Sequence, residues 1–158
     1  MLGSRGYLVT GFALGITVAF VAGAGFGARV GAQSGHSGLY GGARPLAPYS
    51  PGVDSGETVY LSGQVGINPE TGSLHEGLQA QARQALSNLE SLLAEAGLTK
   101  ASVVRATVYL DDINNYPALN EVYGQFFEDV DVKPSRSTVG VAALPIGAAV
   151  EIDFIAVK

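Results

Sequence analysis

Cysteine and tryptophan are absent from this chain of 158 residues, and methionine occurs once. Without cysteine there is no disulfide, no thiolate nucleophile and no cysteine-ligated metal. Redox compartment does not follow, because a cysteine-free domain is at home on either side of a membrane. Histidine is scarce as well. His36 sits alone in a Gly/Ser-rich stretch, and His75 has no second ligand at metal spacing, so no zinc site is expected. Positive charge is thin: nine Lys and Arg against fourteen Asp and Glu leave a net charge of −5. Such a chain has no basic footprint for nucleic acid. It also lacks a Gly-x-Ser-x-Gly elbow, a phosphate loop and a dinucleotide fingerprint.

Charge of either sign is missing from residues 6–28, between Arg5 and Arg29. A run of that length rises roughly 34 Å as a helix, against about 30 Å of bilayer core. Residues 1–32 therefore read as an N-terminal transmembrane anchor or a signal sequence. Small residues before residue 32 suit a cleavage point, but the run is long for a signal's apolar region. Small residues four apart (Gly11/Gly15, Ala19/Gly23, Gly23/Gly27, Gly27/Gly31) would let another transmembrane helix approach closely. The same composition is common in signals and anchors generally. The expectation is a single-pass membrane protein whose globular domain lies outside the cytoplasm, docked through residues 6–28, with other transmembrane subunits as candidate partners.

Residues 33–44 have the composition of a flexible linker, and a folded domain is expected over residues 45–158. Within it, apolar alternation predicts a strand over 58–63, continued at 65–67 after a bulge at Gly63-Gln64. Leu78, Ala82, Ala85, Leu86, Leu89, Leu92 and Leu93 give the stripe of an amphipathic helix that Gly97 terminates. Residues 103–110 alternate as a strand. A second helix over about 116–128 tolerates Pro117 in its first turn. Two last strands flank Leu144-Pro145-Ile146-Gly147 and are expected to pair as a hairpin. The order predicts a two-layer α+β domain, a mixed sheet with two helices on one face. Its other face, read as apolar, predicts self-association.

Candidate chemistry centres on residues 134–152, where Arg136 and Glu151 stand among small and apolar residues. A cation and a carboxylate in such a setting are costly unless they hold each other or a ligand. Arg136 suits bidentate capture of a carboxylate, or else it pins a strand edge. Glu151 suits acid/base work, or else it is a cross-strand partner of Arg136 or Arg105. Tyr49, Ser62 and Asn120 are ordinary polar residues when taken singly.

Taken together, the residues carry a resemblance. Residues 45–158 resemble the RidA (YjgF-type) imine/enamine deaminases throughout. The matching motifs are Pro134-Ser-Arg-Ser-Thr-Val139, Ala142-Ala-Leu144 and Val150-Glu-Ile152. Others are Pro48-Tyr49, Ser62-Gly63-Gln64, Asn68-Pro-x-Thr-Gly72, Gln81-Ala-Arg83 and Asn120-x-x-Tyr123-x-x-Phe126-Phe127. The resemblance implies a chorismate-mutase-like homotrimer with clefts between subunits. It implies that Arg136 grips a substrate carboxylate, that Glu151 positions water and moves protons, and that Tyr49, Ser62, Asn120 and Thr138 line the pocket. Some members carry cysteine where Thr138 stands, but hydrolysis needs no thiol. The implied reaction hydrolyses 2-imino or 2-enamino acids, such as 2-aminoacrylate, to 2-oxo acids and ammonia without metal or cofactor. The rival expectation is a non-catalytic accessory subunit of a membrane complex, docked through the Gly-rich segment.

Overall fold

The structure, a computed structural model, describes residues 35–41, 45 and 47–158, all of which belong to one unit, Gln33–Lys158. Its strands are β1 (Ser37–Leu39), β2 (Gly52–Asp54), β3 (Thr58–Val65), β4 (Val103–Leu110), β5 (Ser135–Gly140) and β6 (Val150–Val157). Its helices are α1 (Leu78–Glu95) and α2 (Tyr116–Phe126). The strands form one sheet in the order β1-β2-β3-β6-β4-β5. Every pairing is antiparallel except β4 with β5, which is parallel and connected through α2.

The expected two-layer α+β architecture is present. Ala85, Leu86, Leu89 and Leu93 of α1 and Leu119 and Val122 of α2 pack with Val59, Val108, Ile152 and Phe154 of the sheet. The stripe read from the sequence is thus the buried face of α1. Its end is a Schellman motif: Gly97, at φ 72°, donates to Ala94 O and Leu98 donates to Leu93 O. These bonds satisfy two carbonyls that the last turn would leave unpaired. Close packing also fixes Gly66, since a Cβ there would meet the backbone of α1 at Gln81.

Buried Gln81 links two loops. Its Nε2 donates to His75 O at 2.8 Å and its Oε1 accepts from Ala149 N at 2.7 Å, so both ends of a buried amide are satisfied. This explains one residue of the Gln81-Ala-Arg83 motif. Ala149 is the residue just before β6, so the bridge ties the start of that strand to α1.

The structure differs from the sequence reading in three respects. First, β5 and β6 do not form a hairpin, because β4 lies between them. Pro145–Gly147 make a 3-10 turn within the longer connection between them. The apolar β6, buried along one face, takes the sheet centre, while the more polar β5 takes the edge. Secondly, residues 37–39, expected as linker, add a strand to β2, with Leu39 buried in the core. Glu95 Oε2 accepts from Tyr40 N at 3.0 Å and Gly41 N at 2.6 Å, holding the end of this strand against α1. Thirdly, the open sheet face is not simply apolar. Cross-strand pairing places Tyr60, Ile155 and Val139 there among Arg105, Thr107, Tyr109, Glu151 and Asp153.

The transmembrane helix expected over residues 6–28 lies outside the described residues. Among the described residues no helix is long and apolar enough to cross a membrane. The 18-residue α1 is amphipathic, with Arg83, Glu90 and Glu95 in its length. The expected single-pass membrane location, with an extracytoplasmic domain, is corrected on that finding.

Candidate functional site

Paired residues on neighbouring strands share a face of the sheet, and this decides where each candidate points. Arg136 pairs with Ala106 and Thr138 with Val108 on β4. Ala106 and Val108 pair in turn with Phe154 and Ile152 on β6. All four partners are buried beneath the helices, so Arg136 and Thr138 lie on the helix side. Glu151 pairs with Tyr109 and Val65, on the open side. The expected neighbours Arg136 and Glu151 are therefore on opposite faces of one sheet.

On the helix side, Arg136 is half-buried and held by α2. Its Nη2 donates to Asn120 Oδ1 at 2.7 Å and to the Tyr116 hydroxyl at 3.1 Å. The guanidinium carbon sits 4.4 Å from the ring centroid of Tyr123 and 5.5 Å from that of Tyr116. Residues 116, 120 and 123 recur four and three apart, so one helix face presents all three. Among the described residues Arg136 makes no ion pair with a carboxylate. The Thr138 hydroxyl is buried without a partner, as is that of Tyr123. Burial pushes the Tyr123 phenol up to about 12, with the Arg136 charge acting the other way. That ring stays neutral at any ordinary pH.

On the open side, Glu151 is packed against the backbone of Gly63, where a Cβ would overlap its carboxylate. Gly63 lies in the irregular stretch between Leu61 and Gln64, where β3 shifts register against β6. Ser62 Oγ donates to Ser50 O at 2.8 Å, which joins this stretch to the segment carrying Tyr49. Burial raises the Glu151 carboxyl above its ordinary value of 4.5, and the charge of Asp153 adds to the rise. Tyr109, which donates to Asp153 Oδ2 at 3.1 Å, is raised as well, mainly by burial and then by that carboxylate. Tyr49 is half-exposed beside a cavity of about 410 Å³ that Pro51, Gly63 and Gln64 line together with Asn88 and Leu92 of α1, so this cavity opens toward the helix side.

The structure thus assembles the candidates into two sets, Arg136 with Asn120 and Thr138, and Glu151 with Ser62 and the Tyr49 segment. It does not bring the sets together within one copy of the chain. Tyr116 and Tyr123 carry no sequence feature that marks them as site residues. Their spacing with Asn120 was visible, but Tyr123 reads equally well as apolar helix face. Among the described residues no cluster of acidic or histidine side chains is arranged to hold a metal. His75 contacts the amide oxygen of Gln84 at 3.2 Å.

Gly63→Ala tests the open-side set. The obstructed atoms are the far end of a flexible side chain, so the carboxylate can swing away with little loss of stability. Thermal unfolding should move by only a few degrees, roughly 1 kcal/mol or less, while activity should fall at least about tenfold because the carboxylate is displaced.

A family model described as "Endoribonuclease L-PSP" matches residues 41–158. A "RutC family protein" of Aquifex aeolicus is 48% identical over 114 residues, covering 72% of this chain and 91% of the relative. A Salmonella typhimurium protein named "2-iminobutanoate/2-iminopropanoate deaminase" is 40% identical over 114 residues, covering 72% and 89%. The crystal structure of E. coli TdcF with bound serine superposes with a TM-score of 0.71 at 39% identity, covering 73% of this chain and 92% of that one. The mixed sheet with two helices over one face is a RidA-type α+β fold. The chain belongs to the endoribonuclease L-PSP family, that of the RidA and YjgF proteins.

Proposed function

We propose that the chain is a deaminase that hydrolyses small 2-imino and 2-enamino acids, with 2-aminoacrylate as a representative substrate. The observation that carries the proposal is the division of the site residues: a guanidinium prepared on one sheet face, a carboxylate of raised pKa on the other. Neither set is a complete site, so the working site lies between copies. Arg136, Asn120 and Thr138 of one copy face Glu151, Ser62 and Tyr49 of the next, in a homotrimer. The name of the Salmonella relative supports the reaction class. The net charge of −5 speaks against a polyanionic RNA substrate.

Each set has a defined task. With both Nη2 protons given to Asn120 and Tyr116, Arg136 holds the substrate carboxylate through Nη1 in a charge-assisted hydrogen bond, which places C2 near Glu151. Once a solvent proton has added to C3 of 2-aminoacrylate, giving the iminium, C2 is already electrophilic. Glu151 accepts a proton from water as the oxygen adds to C2, giving a carbinolamine. It then returns that proton to nitrogen, and the C–N bond breaks as Glu151 takes the hydroxyl proton, the carbonyl forms and the proton passes on to the departing ammonia. Iminium plus water become 2-oxo acid plus ammonium, balanced in atoms and charge. Positioning and one proton relay suffice for this chemistry.

The test uses the full chain with 2-aminoacrylate generated in the cuvette by a pyridoxal-phosphate lyase, following pyruvate and ammonia. Acceleration over buffer is expected. A chain that assembles as a trimer but gives no acceleration overturns the deaminase proposal.

A further inference from the structure

The Arg136 guanidinium is held by three residues of α2, and only Asn120 among them has a role so far. Arginine carries donors and no acceptor. In the 3.1 Å contact between Arg136 Nη2 and the Tyr116 hydroxyl, the tyrosine oxygen must therefore accept, which leaves its own proton free. Tyr116 is 41% exposed, so that proton reaches the same opening as the guanidinium. A carboxylate seated on Arg136 then finds a further donor beside it.

Tyr123 does different work. It is 6% exposed, and its ring lies 4.4 Å under the guanidinium carbon, within the range in which a cation is attracted to an aromatic face. The ring is itself fixed, 4.9 Å from that of Phe127 in the core. An arginine side chain has several free rotations, and ordering it on substrate binding costs affinity. A flat, anchored platform beneath it removes much of that cost in advance. The neutral phenol keeps the platform from becoming a competing anion.

We propose that Tyr116 and Tyr123 complete the carboxylate-binding half of the site, Tyr116 as a substrate-touching hydrogen-bond donor and Tyr123 as a positioning residue acting through Arg136. This rests on the deaminase reading for the identity of the carboxylate, but its test does not need turnover. Binding of pyruvate, the 2-oxo acid product, is measured by calorimetry on the full chain, beside methyl pyruvate, which lacks the charge. Tyr116→Phe should weaken pyruvate binding about five- to tenfold, the loss of one hydrogen bond to a charged group, and leave methyl pyruvate within twofold. Tyr123→Leu should weaken pyruvate at least about fivefold, whereas Tyr123→Phe, which keeps the ring and drops the unpartnered hydroxyl, should bind within twofold of the unaltered chain. In turnover the same losses should appear in KM, with kcat within about threefold.

Unchanged pyruvate binding in Tyr116→Phe overturns the donor role. A Tyr123→Phe as weak as Tyr123→Leu overturns the platform role, and an unaltered chain that does not bind pyruvate overturns both. If Tyr123→Leu does not fold, the half-exposed Tyr116 and the conservative Tyr123→Phe decide the matter. An unaltered chain that binds pyruvate without turning over 2-aminoacrylate overturns the deaminase proposal and leaves the binding site standing.

Discussion

Arg136→Ala is expected to lower kcat/KM for 2-aminoacrylate by roughly 100- to 1000-fold. A charge-assisted hydrogen bond and the attraction of the cation for the substrate carboxylate are lost, together about 3–4 kcal/mol of transition-state binding. The change also removes the partner of Asn120 Oδ1, now 2.7 Å from the guanidinium, and the cation over the Tyr123 ring. Some stability is lost as well, and a melting curve recorded beside the kinetics separates the two effects. Arg136→Lys recovers little, with a deficit still above about tenfold. One ammonium cannot reach Asn120 and also hold the substrate carboxylate. Activity within threefold of the unaltered chain in Arg136→Ala would remove this residue from the site.

Glu151→Gln has the opposite signature. The amide keeps the shape against Gly63 but cannot accept a proton, so kcat falls about 100- to 10,000-fold while KM changes little. In the proposed mechanism the working form of Glu151 is the carboxylate, and burial together with Asp153 raises its pKa above 4.5. Activity of the unaltered chain is therefore lost as pH falls through that raised value, at higher pH than an exposed glutamate would give. For stability, a carboxyl whose pKa is higher folded than unfolded favours the folded state at low pH. That contribution is fully present below the unfolded value and is lost as pH rises through the folded one. Glu151→Gln should accordingly melt no lower than the unaltered chain at pH 7, and its relative advantage should vanish in acid. A variant that loses stability at pH 7 while keeping its kcat would reverse both assignments.

Much of the fold was legible because it rests on local periodicity. The α1 stripe, the β4 alternation and the irregularity at Gly63-Gln64 each appear within a few residues of one another. Strand pairing was not legible. Residues 134–154 look like a hairpin from within, and only the demand of β6 for burial between β3 and β4 separates its halves. That demand is tertiary, and it reversed the expected proximity of Arg136 and Glu151. β1 was missed for a similar reason: its glycine and serine content reads as linker, and Leu39 alone anchors it. The candidate residues themselves were legible only together, through a family pattern. Tyr49, Ser62 and Asn120 have no local feature that marks them, and the role of Tyr123 needed the position of the guanidinium above it.

The placement of the two sets on opposite faces of one sheet makes them answerable to different parts of the molecule. Arg136 and Thr138 share their side with the core, beside Phe154, Ile152 and the aromatic stack of α2. Changes that retune the anion grip are therefore felt in folding stability. Glu151 stands on the open side, where the proposed assembly places another copy, so on that proposal changes that retune proton transfer are felt in association. A lineage altering this protein can adjust affinity and turnover almost separately, with the sheet as the partition, but it draws on a different reserve for each.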